Sequence, residues 1–274
     1  MPDTVASLPA SLTLVGAGKM GGAMLAGWLA GGLDPRRTTV VEPAPSPELA
    51  ALCAARGLAL NPAEPQVQEA LVLAVKPQGL AAAAPALGPL VGPDTLVVSI
   101  LAGKTIADLK ARLPGARAVV RAMPNLPASI GRGATGAAAS PEVTPRQQEC
   151  ADALLRAAGL VEWLDDEGLI DAVTAVSGSG PAYVFLLAEA LAEAGIAAGL
   201  PPGIAGRLAR ATVSGSGALL DAEATEAAEL RRNVTSPGGT TAAALEVLMR
   251  ADGMPALLRE AVAAAKSRAG ELAG

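Results

Sequence analysis

The chain has 274 residues, 51% of them hydrophobic and 17% charged, with a net charge of −5. That length holds one large domain or two ordinary ones, and an acidic balance without a basic block excludes the clustered Lys and Arg that a nucleic-acid backbone requires. Histidine is absent, which excludes Ser-His and Cys-His nucleophiles, His-ligated metals and imidazole bases, so any catalysis must use hydroxyls, carboxylates, lysine, water or a cofactor.

In chain order, Met1-Pro-Asp-Thr-Val carries no basic n-region, so no signal peptide is expected. Short apolar runs bounded by Gly, Pro or Asp follow, and several are β-branched. Leu12–Val15, Thr38–Glu42, Ala70–Val75, Thr95–Ile100 and Ala118–Arg121 read as strands. Helical patterns lie between them at Met20–Ala30, Pro47–Arg56, Gln78–Ala86 and Ile106–Arg112. Ala134–Ala139 and Leu160–Trp163 extend the sheet around a helix within Thr144–Ala158. Such alternation predicts an α/β fold, a doubly wound, mostly parallel Rossmann-type sheet over residues 1–165. From Leu169 onward the periodicity is helical, at Tyr183–Ala198, Pro202–Leu220, Ala224–Arg232, Thr240–Arg250 and Pro255–Leu272. An all-helical domain over 166–274 is therefore expected. The uncharged run Ala172–Ala188 contains Ser-Gly-Ser-Gly-Pro and is not read as a membrane span. Tyr183, Phe185, Leu186 and Leu187 read as either core or a subunit interface. Cys53 and Cys150 stand alone, without metal-ligand spacing, which fits a reduced, cytoplasmic compartment.

The first strand runs into Gly16-Ala17-Gly18-Lys19-Met20-Gly21, a G-x-G-x-x-G that opens the first helix. Gly16 permits the tight turn, Gly18 lets backbone approach a pyrophosphate, and Gly21 lets helix and strand pack closely. Glu42 ends the second strand about twenty positions on, where a carboxylate binds adenosine ribose hydroxyls. Lys76, before Pro77, closes the third strand, either as a solvated lysine or as a contact to phosphate or ribose. Ala102 follows the fourth strand and leaves room for a flat ring. Asn125 follows the fifth, to bond a carboxamide or to cap a turn. Ser177-Gly-Ser-Gly-Pro181 reads as a capped helix start that also lets the helix lie against a cofactor. Ser236-Pro-Gly-Gly239-Thr240-Thr241 feeds a helix whose first N–H groups lack intrahelical partners. It is either an ordinary cap or a site for a small carboxylate or phosphate.

In this order, Gly16–Gly21, Ala74–Pro77, Met123–Asn125, Asp171–Tyr183 and Ser236–Thr241 resemble the pyrroline-5-carboxylate reductases, from Leu12 to Leu272. The resemblance implies reduction of 1-pyrroline-5-carboxylate to L-proline, with NAD(P)H delivering hydride to the imine carbon. It implies a homodimer or a larger ring of dimers, with substrate between the Rossmann edge of one subunit and helices of the dimer. Asn233, Thr240 and Thr241 match positions that contact substrate or product, and Glu167 matches an acidic position near them. Val75, Lys76 and Ala102 match cofactor contacts. The chemistry of the residues agrees. The helix start after Ser236 suits the substrate carboxylate, and the Thr241 hydroxyl suits the ring nitrogen. Thr241 is the expected catalytic residue.

The chain departs from NADPH-preferring members at Glu42-Pro-Ala-Pro-Ser46, which has no arginine for a 2′-phosphate. Arg36 and Arg37 precede the strand. NADH is therefore expected to serve at least as well as NADPH. A hydroxyacid dehydrogenase would need a lysine on the long helix, and Tyr183–Leu200 has none. A non-catalytic nucleotide sensor would not need Asn233 or Ser236–Thr241. Neither nucleic acid nor membrane is an expected partner.

Overall fold

A computed structural model describes residues 8–273, so the expectation for Met1–Val5 lies outside the described residues. Two compact units appear. One runs to Gly178 and resumes at Lys266, and the other is Ser179–Ala265. The helical domain expected over 166–274 thus contributes its first residues, to Gly178, and the segment from Lys266 to the first unit.

Among the described residues the first unit is built on eight strands: β1 (Leu12–Val15), β2 (Thr38–Val41), β3 (Ala59–Leu60), β4 (Ala70–Leu73), β5 (Leu96–Ser99), β6 (Ala118–Met123), β7 (Gly133–Ala139) and β8 (Gly159–Trp163). Their order is β3-β2-β1-β4-β5-β6-β7-β8. Pairing is parallel except between β6 and β7. Leu14 lies opposite Val40 on one side and Val72 on the other. The order therefore reverses between β1 and β4, which opens a crevice at the carboxyl ends of these strands.

Alternate strand residues face opposite layers. Leu14, Val72, Val98 and Val120 meet α1 (Lys19–Ala30), α2 (Pro47–Arg56) and α5 (Pro145–Arg156). Leu71, Leu73, Val97 and Val119 meet α3 (Leu80–Leu87) and α4 (Ile106–Arg112). Both faces are covered, so these strands read as continuous apolar runs. Trp28 is fully buried and its indole Nε1 donates to Leu154 O at 2.7 Å, which ties α1 to α5. Its removal would cost about 3–5 kcal/mol.

Three local expectations change. The helix read from Gln78 begins as a 3-10 turn, Pro77–Gly79, before α3. β3 is an additional strand. Ser179 does not cap a helix with its side chain. Ahead of it, α6 (Ile170–Val173) widens into a π-turn over Thr174–Gly178. There Thr174 Oγ1 donates to Ile170 O and Ser177 Oγ to Val173 O. These hydroxyls bond back to earlier carbonyls, as mid-helix Ser and Thr do, and are not free to cap.

The second unit contains α7 (Gly180–Ala197), α8 (Pro202–Ala222), α9 (Ala227–Asn233), α10 (Thr240–Leu248) and most of α11 (Met254–Ala273). Gly199, at φ +100°, stops α7, with Leu200 N–H bonded to Gly195 O at 3.0 Å. A Cβ on Gly195 would lie 3.3 Å from that of Ala205, so α7 and α8 approach closely. Yet no residue of α7 is buried, while Ala205 and Ala209 of α8 are. Phe185 is 59% exposed and Leu186 62%. The cluster on α7 is therefore not core within this chain. The stretch Glu167–Ala197 is also long and apolar enough, by length and composition, to cross a membrane.

Candidate active site

The glycine turn forms because each glycine solves a different steric problem. Gly16 adopts φ +88°, and a Cβ there would lie 2.7 Å from Ala74 C. Its N–H bonds Val41 O at 2.9 Å. Gly21 lies against the turn itself. Gly18, at the N-cap of α1, would meet nothing within 4 Å, and no side chain caps that helix. Backbone N–H groups are thus left facing open space, the arrangement that receives a pyrophosphate.

Ala17, Lys19 and Met20 complete the turn. A cavity of about 350 Å³ is lined by Gly18–Met20, Ala74–Pro77, Ile100–Ala102, Met123 and Pro124. The sequence-predicted residues Val75, Lys76, Pro77 and Ala102 therefore converge on one crevice with the turn. Lys19 and Lys76 are exposed and make no ion pair with a described residue, so both are available to an anion. The crevice suits the phosphates of a dinucleotide by its open helix start and its unpaired cations.

Glu42 is half-buried beside the turn. Its Oε2 accepts from Ala17 N–H at 2.9 Å and its Oε1 from Ala44 N–H at 3.2 Å. Ser46 is not beside it in function: its hydroxyl accepts from Leu49 N–H and caps α2.

Asn125 is buried and has another task. Its Nδ2 donates to Ser177 O at 3.0 Å and its Oδ1 accepts from Ala134 N–H at 2.9 Å. The amide does not cap the 3-10 turn that follows, Leu126–Ile130. It joins the end of β6 to the start of β7 and to the π-turn.

Glu167 is held in the first unit. Its Oε1 accepts from Arg121 Nη1 at 3.0 Å and from Ile106 N–H at 2.8 Å. Asp171 Oδ1 lies 3.8 Å from Arg121 Nη2. Arg121 is only 5% exposed. Its sequence context does not single it out as a functional residue, although a lone arginine in an apolar strand demands carboxylate partners. A second cavity, about 270 Å³, shares Pro77 and Ala102 with the crevice and includes Lys104, Asp171 and Thr174.

In the second unit, α9 ends at Asn233 and α10 begins at Thr240, so the expected substrate residues flank one short loop. Gly238 takes φ +70°, and Gly239 N–H closes the turn on Ser236 O at 3.0 Å. Gly239 is the extended N-cap of α10, without a side-chain cap. Thr241 is half-buried, while Asn233, Ser236 and Thr240 are exposed. None of these side chains bonds a described residue. The loop presents free backbone N–H groups beside free hydroxyls.

Comparison with known proteins adds two family matches. Residues 167–272 match pyrroline-5-carboxylate reductase dimerisation, and residues 11–103 match NADP oxidoreductase, coenzyme F420-dependent. A pyrroline-5-carboxylate reductase of Pseudomonas aeruginosa is 42% identical over 264 residues, 96% of each chain. The solved pyrroline-5-carboxylate reductase of Coxiella burnetii is 35% identical, with TM-score 0.90 over 97% of this chain and 99% of that one. The Plasmodium falciparum pyrroline carboxylate reductase, solved with NADP bound, shares the fold at 24% identity and TM-score 0.79, over 98% of this chain and 100% of that one. The apolar face of α7 accordingly belongs to a self-associating module, and the glycine turn to a stretch that matches a nicotinamide-dependent oxidoreductase domain. With relatives this similar over nearly its whole length, the chain belongs to the pyrroline-5-carboxylate reductase family.

Proposed function

We propose that this protein reduces 1-pyrroline-5-carboxylate to L-proline with NAD(P)H, the last step of proline synthesis. Membership of the family across the chain supports the reaction. The observation that carries the site is the start of α10, where Gly239 is extended and no side chain caps the helix. A helix start with spare N–H groups and a favourable dipole holds a carboxylate. The substrate is a small cyclic imine with one carboxylate, so Ser236, Gly239 and Thr240 bind that group and Asn233 borders it. Thr241 hydrogen-bonds the ring nitrogen. Glu167 contributes through the cluster it forms with Arg121.

When bound, the reduced nicotinamide supplies the hydride that adds to the imine carbon, while a proton ends on the ring nitrogen. A protonated imine is the better acceptor, so the protein needs no strong base. Its residues orient substrate and exclude water. Gly16–Gly21 and the α1 start hold the pyrophosphate, Lys76 assists at phosphate or ribose, and Val75, Pro77 and Ala102 shape the ring pocket. Asn125 acts by fixing the β6 end rather than by spending its bonded amide on the cofactor.

Glu42 selects the ribose diol and repels a 2′-phosphate, so NADH serves at least as well as NADPH. The active unit is a homodimer or a ring of dimers, in the cytoplasm, without nucleic-acid or membrane partners. The exposed apolar face of α7 is covered by another copy.

The test is cofactor oxidation followed by absorbance, with pyrroline-5-carboxylate and either cofactor. No turnover with either overturns the activity. A preference of about a hundredfold for NADPH, roughly 2.7 kcal/mol, overturns the cofactor assignment alone.

A further inference from the structure

Asn61 is, among the described residues, the non-glycine residue with positive φ, at +47°. It directly follows β3, and its N–H bonds Val40 O at 2.8 Å. Its side chain then bonds Glu42 twice. Oδ1 accepts from Glu42 N–H and Nδ2 donates to Glu42 O, both at 2.8 Å. The amide imitates a peptide group and adds one more rung to the ladder between β2 and β3. Both backbone polar groups of Glu42 are satisfied by this one side chain. The Glu42 carboxylate is meanwhile set by Ala17 N–H and Ala44 N–H.

A carboxylate that distinguishes a diol from a phosphate works only if its position is held, because a loose side chain swings away from the competitor it should repel. We propose that Asn61 is a positioning residue for cofactor choice, holding the Glu42 backbone so that its carboxylate stays at the ribose edge of the glycine turn. The residue type follows from two demands met together. The left-handed backbone favours Asn or Gly, and the double bond to Glu42 needs a donor and an acceptor on one short side chain. Aspartate offers no donor when ionised, and glycine offers neither group.

The inference rests on the reading of Glu42 as the ribose-binding residue, and two variants separate the ideas. Asn61→Gly keeps the backbone conformation and removes the amide. Calorimetric titration of the intact protein with NADH and with NADPH, without substrate, reads affinity independently of turnover. Steady-state kinetics with both cofactors then separates KM from kcat. For Asn61→Gly the expected result is a rise of about fivefold in Kd and KM for NADH, the scale of one or two surface hydrogen bonds. The NADPH constants are expected to stay level or to fall as the repulsion relaxes, and kcat to move by less than about twofold. Equal weakening of both cofactors overturns the proposal, since a merely structural role predicts that. Unchanged NADH affinity overturns it too. Glu42→Gln is the control. If it leaves the NADH:NADPH ratio unchanged, the reading of Glu42 falls and the proposal with it. If it collapses the ratio while Asn61→Gly does not, the Asn61 proposal alone falls.

Discussion

A Cβ on Gly21 would lie 2.2 Å from the carbonyl oxygen of Gly16. The added methyl would meet backbone, so no flexible side chain can yield to relieve the clash. Gly21→Ala is expected to destabilise the first unit by about 1–3 kcal/mol, seen as a lower Tm. Gly18→Ala should behave oppositely, since nothing lies within 4 Å of its Cβ. Tm should hold while cofactor affinity falls about tenfold, ~1.4 kcal/mol, because the new methyl stands where the pyrophosphate approaches. Equal melting temperatures for the two variants would contradict this account.

Thr241→Ala should lower kcat/KM by roughly 10- to 100-fold, a loss of about 1.4–2.7 kcal/mol of transition-state stabilisation. Cofactor affinity should not change. Wild-type kinetics in the variant would remove Thr241 from the mechanism.

Arg121→Met should cost about 1–3 kcal/mol of stability, read by chemical denaturation. Arg121 is nearly fully buried, but Glu167 and Asp171 keep 29% and 26% of their side chains exposed, so water softens the loss. Adding Glu167→Gln should recover part of it. A double variant that loses the sum of both single losses would mean the pair is not coupled.

Leu186→Glu should weaken self-association, because it puts a charge on the exposed apolar face of α7. Sedimentation velocity should show a smaller species over a micromolar range. An unchanged sedimentation coefficient would place the interface elsewhere.

Burial, with the Glu69 carboxylate adding to it, pushes the Cys150 thiol up to about 12. Burial also raises Cys53. The protonated thiol persists at pH 8 and is a poor nucleophile. A thiol reagent should therefore label neither cysteine until denaturant is added. Rapid labelling of the native protein would show that the surrounding core opens.

Much of the first unit is legible in the sequence because its strands are apolar on both faces and its turns carry Gly, Pro or Asp. β3 escapes that reading, being Ala-Leu with no period to detect. The glycine turn is legible because sterics assign each of its glycines a separate reason. Asn61 and Arg121 are not, because each acts on a residue far along the chain: 19 positions separate Asn61 from Glu42, and 46 separate Arg121 from Glu167. Asn125 reads as a ligand or a cap because the sequence does not show that Ala134 and Ser177 come to its two ends. The loop before α10 stays ambiguous between cap and site for a different reason. The same N–H groups perform both tasks, and only the missing side-chain cap separates them.

The first unit leaves the path of the chain at Gly178 and takes it up again at Lys266. Leu272 lies against the Gly103 turn, and Gly270 near Asp171. During synthesis, then, the sheet emerges from the ribosome long before the segment that seals it. The nascent unit waits with the Gly103 turn uncovered until all of Ser179–Ala265 has been made. For the finished protein the same threading has a mechanical result. The two units are joined by two lengths of backbone, so a single proteolytic nick at either crossing leaves them tethered through the other.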